Sequence, residues 1–306
     1  MKPLQIIGIP MDLGQKRRGV NMGPNAVRYA GISKQLRRLD YDVKDMGDVS
    51  ILVRDNIPKH DLNSEIINTC ERIYSKVSKA IDDYTIPICI GGDHSIAIGT
   101  VGGTTHHKNA GVIWIDAHGD FNTHATSPSG NVHGMPMAIL TGHGNSEMIN
   151  IGRTGAKIDA SNVVLIGIRD LDAQEKRMVV NSGAHVYTMR DIDEKGISQI
   201  MSLTLKHLGH LDRIHVSLDL DAIDPTHAPG VGTPVPGGLT SREAHYIVET
   251  IAKTEKCCSM DIVEVNPIMD HMNQTAKLAV ELTLSLFGKE ICEHTERTEL
   301  KVARLA

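Results

Sequence analysis

The sequence lacks two features that would mark a membrane-spanning or nucleic-acid-binding protein. It has no apolar run close to the roughly 20 residues that a transmembrane helix needs. Its 32 Lys and Arg residues are outnumbered by 37 Asp and Glu residues, and the formal net charge of −5 leaves no basic footprint for nucleic acid. Near the start, Pro10 and Asp12 interrupt a very short apolar segment, which is not a convincing signal peptide. We therefore expect neither nucleic acid nor a membrane as a partner.

Cysteine is scarce and forms no CxxC motif. The chain has five cysteines, of which Cys257 and Cys258 are adjacent. An adjacent pair could serve redox chemistry, but reduced thiols are the favoured interpretation. Reduced thiols are typical of the cytosol, and a cytoplasmic location is what we expect.

Short apolar runs rich in β-branched residues recur along the chain and alternate with helix-like segments. Continuous apolar runs are typical of parallel strands that are buried on both faces. The predicted strands are LQIIGI (4–9), IPICI (86–90), GVIWI (111–115), VVLIGI (163–168), AHVYTM (184–189) and RIHVSLDLD (213–221), and helices are predicted at 25–39 and 62–82. The pattern predicts a three-layer α/β/α fold with a central, mostly parallel sheet. No linker divides the chain, so we expect one domain over 1–306, with a polar tail from about residue 290.

Polar clusters follow four of the predicted strands. GGDHS comes after IPICI, DAHGD after GVIWI, RDLDAQE after VVLIGI, and DLDAIDP closes RIHVSL. Ligands of open α/β sheets bind beyond the carboxyl ends of the strands. We therefore expect the four clusters to converge on one site.

The cluster DAHGD places Asp116, His118 and Asp120 at alternate positions. On an extended chain such side chains share a face but lie roughly 6.5 to 7 Å apart per step. They can share one ion only if the chain bends, which Gly119 would permit. Alternatively, Asp116 caps a turn and the other two side chains are merely solvated.

Two further strand ends add His94, Asp219 and Asp221 to this set. A lone DxD or a single histidine is more often structural, but two histidines and four aspartates at three strand ends are hard to explain as caps. Two divalent cations would neutralise the four carboxylates, and carboxylates with imidazoles favour Mn²⁺ ahead of Zn²⁺. Two such ions about 3.5 to 4 Å apart activate water for hydrolysis. The sequence therefore predicts a metal-dependent hydrolase.

Several motifs, in order, resemble those of the ureohydrolase superfamily and, within it, of bacterial-type arginases. They are GGDHS, DAHGDFNT, SPSGNVHGMP, SLDLDAIDP, GVGTPVPGGLT and DIVEVNP, which lie within 91–267, and GQKRRGVNMGPNAVR extends the match towards the N-terminus. The resemblance implies the arginase-like fold, two Mn²⁺ ions per subunit, and hydrolysis of L-arginine to L-ornithine and urea. It also implies a homo-oligomer, either a trimer or a hexamer.

The same resemblance assigns the metal ligands and the groups that move protons. One ion would be bound by His94, Asp116, Asp120 and Asp219, and the other by Asp116, His118, Asp219 and Asp221. Asp120 would also assist proton movement. His133 matches the proton-shuttling histidine of the family, and Glu264 matches the glutamate that orients the substrate guanidinium.

The remaining implied residues contact the substrate. His118 and Thr233 match further substrate-site positions, while Asn122, Ser129 and Asn131 match residues that hydrogen-bond the α-carboxylate, and Asp172 and Glu175 match those that face the α-ammonium. Amide and hydroxyl donors suit an anion, and carboxylates suit a cation.

Two rival functions remain. An agmatinase or another guanidino-hydrolase would keep the metals without needing α-carboxylate donors, and the pattern from Asn122 to Asn131 disfavours it. A catalytically silent metal-binding or regulatory protein is disfavoured by His133 and Glu264.

Overall fold

The computed structural model describes residues 1–290, and its centre is an eight-stranded sheet in which every paired strand is parallel. The strands are β1 (Leu4–Ile9), β2 (Val43–Asp48), β3 (Ile86–Gly91), β4 (Gly111–Ile115), β5 (Val163–Ile168), β6 (His185–Thr188), β7 (Ile214–Asp219) and β8 (Cys257–Val263). Their order across the sheet is β2-β1-β3-β8-β7-β4-β5-β6. The predicted α/β fold is confirmed, and the sheet is parallel throughout rather than mostly so.

All six predicted strands are present, and the two that were not predicted lack a continuous apolar run. The edge strand β2 reads VKDMGD, and only Val43 in it is buried. The central strand β8 is buried almost throughout but carries Ser259 and Asp261, which interrupt the apolar run. Cys257 and Cys258 lie in β8 and are free thiols.

Eleven α-helices accompany the strands in residues 1–290. They are α1 (Gly23–Tyr29), α2 (Ile32–Arg37), α3 (Leu62–Asp82), α4 (Ala97–Thr104), α5 (Pro136–Leu140), α6 (Ser146–Ile149), α7 (Ala173–Ser182), α8 (Met189–Lys195), α9 (Ile197–His207), α10 (Ser241–Ala252) and α11 (Gln274–Leu286). The prediction for 62–82 is confirmed, whereas the segment 25–39 forms two helices. Gly31 separates them because its left-handed φ of 92° breaks the helical path. None of the described helices has both the length and the apolar character needed to cross a membrane.

Alternate residues of each central strand enter opposite halves of the core. In β4, for example, Ile113 and Ile115 belong to the apolar cluster that includes α1, α2, α10 and α11, whereas Val112 and Trp114 face the opposite side. A strand with side chains buried on both faces needs an apolar residue at every position. The three-layer arrangement therefore explains why the strand sequences are continuous apolar runs.

The sheet order brings together the ends of the strands that carry the polar clusters. Strands β3, β8, β7 and β4 are neighbours, and all point the same way. The segments that follow them therefore meet at one edge of the sheet, where the candidate site lies.

Candidate active site

His94 lies at the centre of the first group of predicted metal ligands. Its Nδ1 is 3.0 Å from Asp116 Oδ2, 3.1 Å from Asp219 Oδ2 and 3.2 Å from Asp120 Oδ2. These four side chains are at most 7% exposed. Chain segments after β3 and β4 and at the end of β7 thus deliver one imidazole and three carboxylates to a single buried point.

His118 lies at the centre of the second group. Its Nδ1 is 3.1 Å from Asp221 Oδ2 and 3.4 Å from Asp116 Oδ1. Asp221 Oδ1 also accepts a hydrogen bond from the Ala117 amide, and its Oδ2 accepts one from Thr233. Asp116 therefore contacts both histidines and is placed between the two groups.

The chemistry of these donors fits divalent cations. Ligand atoms of His94, Asp116 and Asp120 lie within 4.8 Å of one another, as do those of Asp116, His118 and Asp221. His94 Nδ1 and Asp120 Oδ2 are buried without a hydrogen-bond partner. Buried polar atoms are normally paired, and a cation bound between the carboxylates would supply the missing partner.

Electrostatic repulsion among the carboxylates around His94 shifts the pKa values of these side chains. Burial and the negative charges of Asp221 and Asp116 raise the pKa of Asp219 well above its ordinary value. Burial and Asp116 likewise raise the pKa of Asp120 to about 6. Burial opposes the charge of His94, but the surrounding carboxylates outweigh it and raise the pKa of the imidazole. Positive charge is therefore strongly favoured at this point.

The chain bends at Ala117 and His118 and then adopts a left-handed conformation at Asp120. The Asp120 φ of 54° lies in the left-handed region, whereas Gly119, the predicted bending residue, has no positive φ. A Cβ on Gly119 would lie 2.9 Å from side-chain atoms of Leu171 and Val179. Glycine at this position therefore also serves close packing. Left-handed non-glycine residues are uncommon and occur preferentially at functional sites.

Two residues that were not predicted hold His94 in position. The Trp114 ring stacks on the imidazole with a centroid distance of 3.9 Å, and its Nε1 donates to Asp116 Oδ2 at 3.0 Å. The Ser217 Oγ lies 2.8 Å from His94 Nε2. Partners of this kind orient metal-binding histidines. A single tryptophan just before a strand end was the available sequence signal for Trp114.

The half-buried His133 and the buried Glu264 form a pair beside the first group. His133 Nδ1 lies 3.1 Å from Glu264 Oε1, which also accepts a hydrogen bond from the His94 amide. Burial opposes the charge of His133, but the hydrogen bond with Glu264 outweighs it and raises the pKa of His133 to about 9. The imidazole is therefore protonated at neutral pH.

The N-terminal loop supports this pair, and the sequence alone did not reveal its role. Gln15 Nε2 donates to Glu264 Oε2 at 2.8 Å. Asp93 accepts a hydrogen bond from the Gly14 amide, and the Gly14 carbonyl accepts one from the His133 amide. The loop belongs to the motif GQKRRGVNMGPNAVR, which was the available signal, although no role had been assigned to its residues.

A cavity of about 250 Å³ opens above the ligands. Most of the predicted site residues line it, namely His94, His118, Asp120, Asn122, Ser129, His133, Asp172, Glu175, Asp219, Asp221 and Thr233. Asp116, Asn131 and Glu264 are not in the lining. Asp170 lines the cavity although it was not predicted, and its position after β5 could have been found by the same rule as the other clusters.

The rim of the cavity is organised by hydrogen bonds between loops. Asn122 Nδ2 donates to Asp172 Oδ2 at 2.8 Å, and Asn122 Oδ1 accepts from Thr126 Oγ1. Ser129 Oγ accepts a hydrogen bond from the Asn131 amide. Neutral donors and carboxylates thus stand side by side at the opening, as a ligand with both an anionic and a cationic group requires.

Comparison with known proteins identifies the family. The family model described as the arginase family matches residues 2–288. A curated arginase of Bacillus subtilis is 48% identical over 294 residues, which cover 95% of this chain and 99% of that relative. The chain belongs to the arginase family.

Solved structures of arginases agree with this assignment. The Bacillus subtilis arginase structure has a TM-score of 0.91 at 47% identity, and the native Bacillus caldovelox arginase structure has 0.93 at 46%. Each comparison covers 95% of this chain and 100% of the other. A hypothetical agmatinase from Burkholderia thailandensis is less similar, with 25% identity, a TM-score of 0.73, and 93% of this chain and 84% of that one covered. The predicted arginase-family hydrolase with its α/β fold is confirmed.

Proposed function

We propose that the protein is a binuclear manganese arginase that hydrolyses L-arginine to L-ornithine and urea. The observation that carries the proposal is the pair of buried His–carboxylate groups sharing Asp116, with His94 Nδ1 and Asp120 Oδ2 left unpartnered. It is supported by the 48% identity to an arginase over nearly the whole chain.

The ligand assignment follows the two groups. His94, Asp116, Asp120 and Asp219 would hold one ion, and Asp116, His118, Asp219 and Asp221 would hold the other. Bound there, two divalent cations would lower the pKa of water enough to supply hydroxide near neutral pH. Carboxylates without thiolates favour Mn²⁺ among such cations.

Three side chains would then handle protons and position the guanidinium. Asp120, whose Oδ2 has no hydrogen-bond partner, is suited to accept a hydrogen bond from the attacking nucleophile. His133 lines the cavity and is protonated at neutral pH, so it can donate a proton to the departing amine. Glu264 keeps His133 charged and contributes negative charge near the guanidinium.

The substrate's amino-acid end would lie at the rim. Asn122, Ser129 and Asn131 would hydrogen-bond the α-carboxylate, while Asp172 and Glu175 would face the α-ammonium. Asn122, Ser129, Asp172 and Glu175 line the cavity, which supports this orientation. His118 and Thr233 would complete the substrate site near the metals.

The domain organisation, location and oligomeric state of the protein are also proposals. We infer a single catalytic domain, a cytoplasmic location, and a homo-oligomer that is a trimer or a hexamer. The polar tail from about residue 290 lies, except for its first residue, outside the described residues.

The proposal is tested by measuring urea release from arginine and agmatine side by side. Chelated protein should be inactive and should regain activity best with Mn²⁺, followed by Zn²⁺ and then Mg²⁺. Arginine should be the preferred substrate. Full activity in metal-free protein, or a preference for agmatine, would contradict the proposal.

A further inference from the structure

Lys16 extends from the N-terminal loop to the rim of the cavity. Its Nζ donates a hydrogen bond to the Ser129 carbonyl at 3.0 Å, and Ser129 lines the cavity. Lys16 itself is exposed. An ammonium group has three donors, and this is the only hydrogen bond that Lys16 makes with residues 1–290. Two donors therefore stay available to a ligand at this edge.

The charge of the cavity makes this cation significant. The residues that line the cavity include six carboxylates, and within residues 1–290 no lysine or arginine belongs to the lining. Metal ions would offset the carboxylates of the two ligand groups but not the charges of Asp170 and Asp172. A substrate carboxylate approaching Ser129 would thus meet uncompensated negative charge, which neutral hydroxyl and amide donors only partly offset.

We propose that Lys16 is a specificity-determining residue that selects guanidino substrates carrying an α-carboxylate. Its ammonium attracts the anionic end of an amino acid and repels a dication such as agmatine, in which a hydrogen atom replaces the carboxylate. The inference rests on the proposed function, because it refines the choice between two substrates of one site.

A purely structural role for Lys16 makes a different prediction. In that case the contact with the Ser129 carbonyl would only fix the loop, and its loss would affect every substrate alike and at any salt concentration. Arg17, the neighbouring cation, donates to the Gly232 carbonyl beside Thr233, so its hydrogen bond fixes a different segment of the site. The charge effect is therefore assigned to Lys16.

The test measures kcat and KM for arginine and agmatine with Mn²⁺-loaded wild type, Lys16→Gln, Lys16→Glu and Lys16→Arg. Lys34→Gln is the matched control, because it removes one charge at an exposed position of helix α2. Exposed charges interact weakly across water, so Lys16→Gln should raise the KM for arginine by about 1.4- to fivefold at low ionic strength. Lys16→Glu should raise the KM for arginine further, and Lys16→Arg, which keeps the charge, should retain the wild-type preference.

Opposite effects on the two substrates are the decisive result. The KM for agmatine should fall in Lys16→Gln and Lys16→Glu, kcat should change less than KM, and both differences should shrink at high salt because of screening. Equal, salt-independent losses on both substrates, or no change, would overturn the inference while the proposed function stands. A wild type that does not hydrolyse arginine would overturn the proposed function, and this inference with it.

Discussion

The floor and the rim of the cavity are built in different ways. The floor, defined by His94, Asp116, Asp120, Asp219 and Asp221, is at most 5% exposed and stands at strand ends. The rim, defined by Ser129, Asn131 and Asp172, lies on loops and is exposed or half-buried. Neighbouring strands fix the floor against one another, whereas the rim depends on hydrogen bonds within and between loops. The floor is therefore suited to chemistry shared by a whole superfamily, and the rim to the choice of substrate.

A substitution in the floor should have the largest effect. Asp219→Asn removes one carboxylate that we place between the two ions, and metal affinity should fall by more than about a hundredfold, because even outer partners of metal ligands are worth 10- to 100-fold. Metal analysis after dialysis measures this directly. Asn131→Ala, a rim variant, is the control and should keep both ions. If Asp219→Asn binds two ions as tightly as the wild type, the assignment of the floor is wrong.

His133 stands between the two regions and should show an intermediate effect. His133→Asn should lower turnover roughly ten- to ten-thousandfold, the usual scale of acid–base catalysis, while metal content stays unchanged. In the wild type, activity should also decline as the pH rises through the pKa of about 9 that Glu264 gives His133, because the imidazole then loses its proton. This decline should be absent from the pH profile of the variant. Loss of metal in His133→Asn would instead identify the residue as a ligand.

The smallest effect is expected at the rim. A hydrogen bond to a charged group contributes about 1.5 to 3 kcal/mol, so Asn131→Ala should lower kcat/KM for arginine roughly ten- to a hundredfold. Agmatine hydrolysis should hardly change, because agmatine has no carboxylate. Both substrates are measured on the same metal-loaded preparation, which separates specificity from folding. Proportional losses on both substrates would show that Asn131 shapes the loop without contacting the carboxylate, consistent with its position outside the cavity lining.

The strands were largely predictable because a strand that is buried on both faces has a continuous apolar run in its sequence. Strand β8 lacks such a run, since Ser259 and Asp261 are buried in partnership with other polar groups. Ser259 pairs with Thr104 and His215, and Asp261 with Thr100. Such partners come from distant parts of the chain, so the local spacing of apolar residues does not reveal them.

The candidate site was predictable in its membership but less so in its geometry. Strand ends and motifs located the floor residues, and the sheet order explains why they meet. The left-handed turn at Asp120, the hydrogen bonds that enclose Glu264 and the stacking of Trp114 on His94 depend on contacts across space. No local pattern of residue types specifies them.

The position of β8 has a consequence for how the protein is made. Among the strands of residues 1–290, β8 comes last in the chain, yet it lies between β3 and β7 in the middle of the sheet. Until it is inserted, β2-β1-β3 and β7-β4-β5-β6 remain separate ribbons, and His94 is on one while Asp116 and Asp219 are on the other. Pairing across such long sequence separations is slow. Assembly of the candidate metal site therefore waits until β8 has been synthesised.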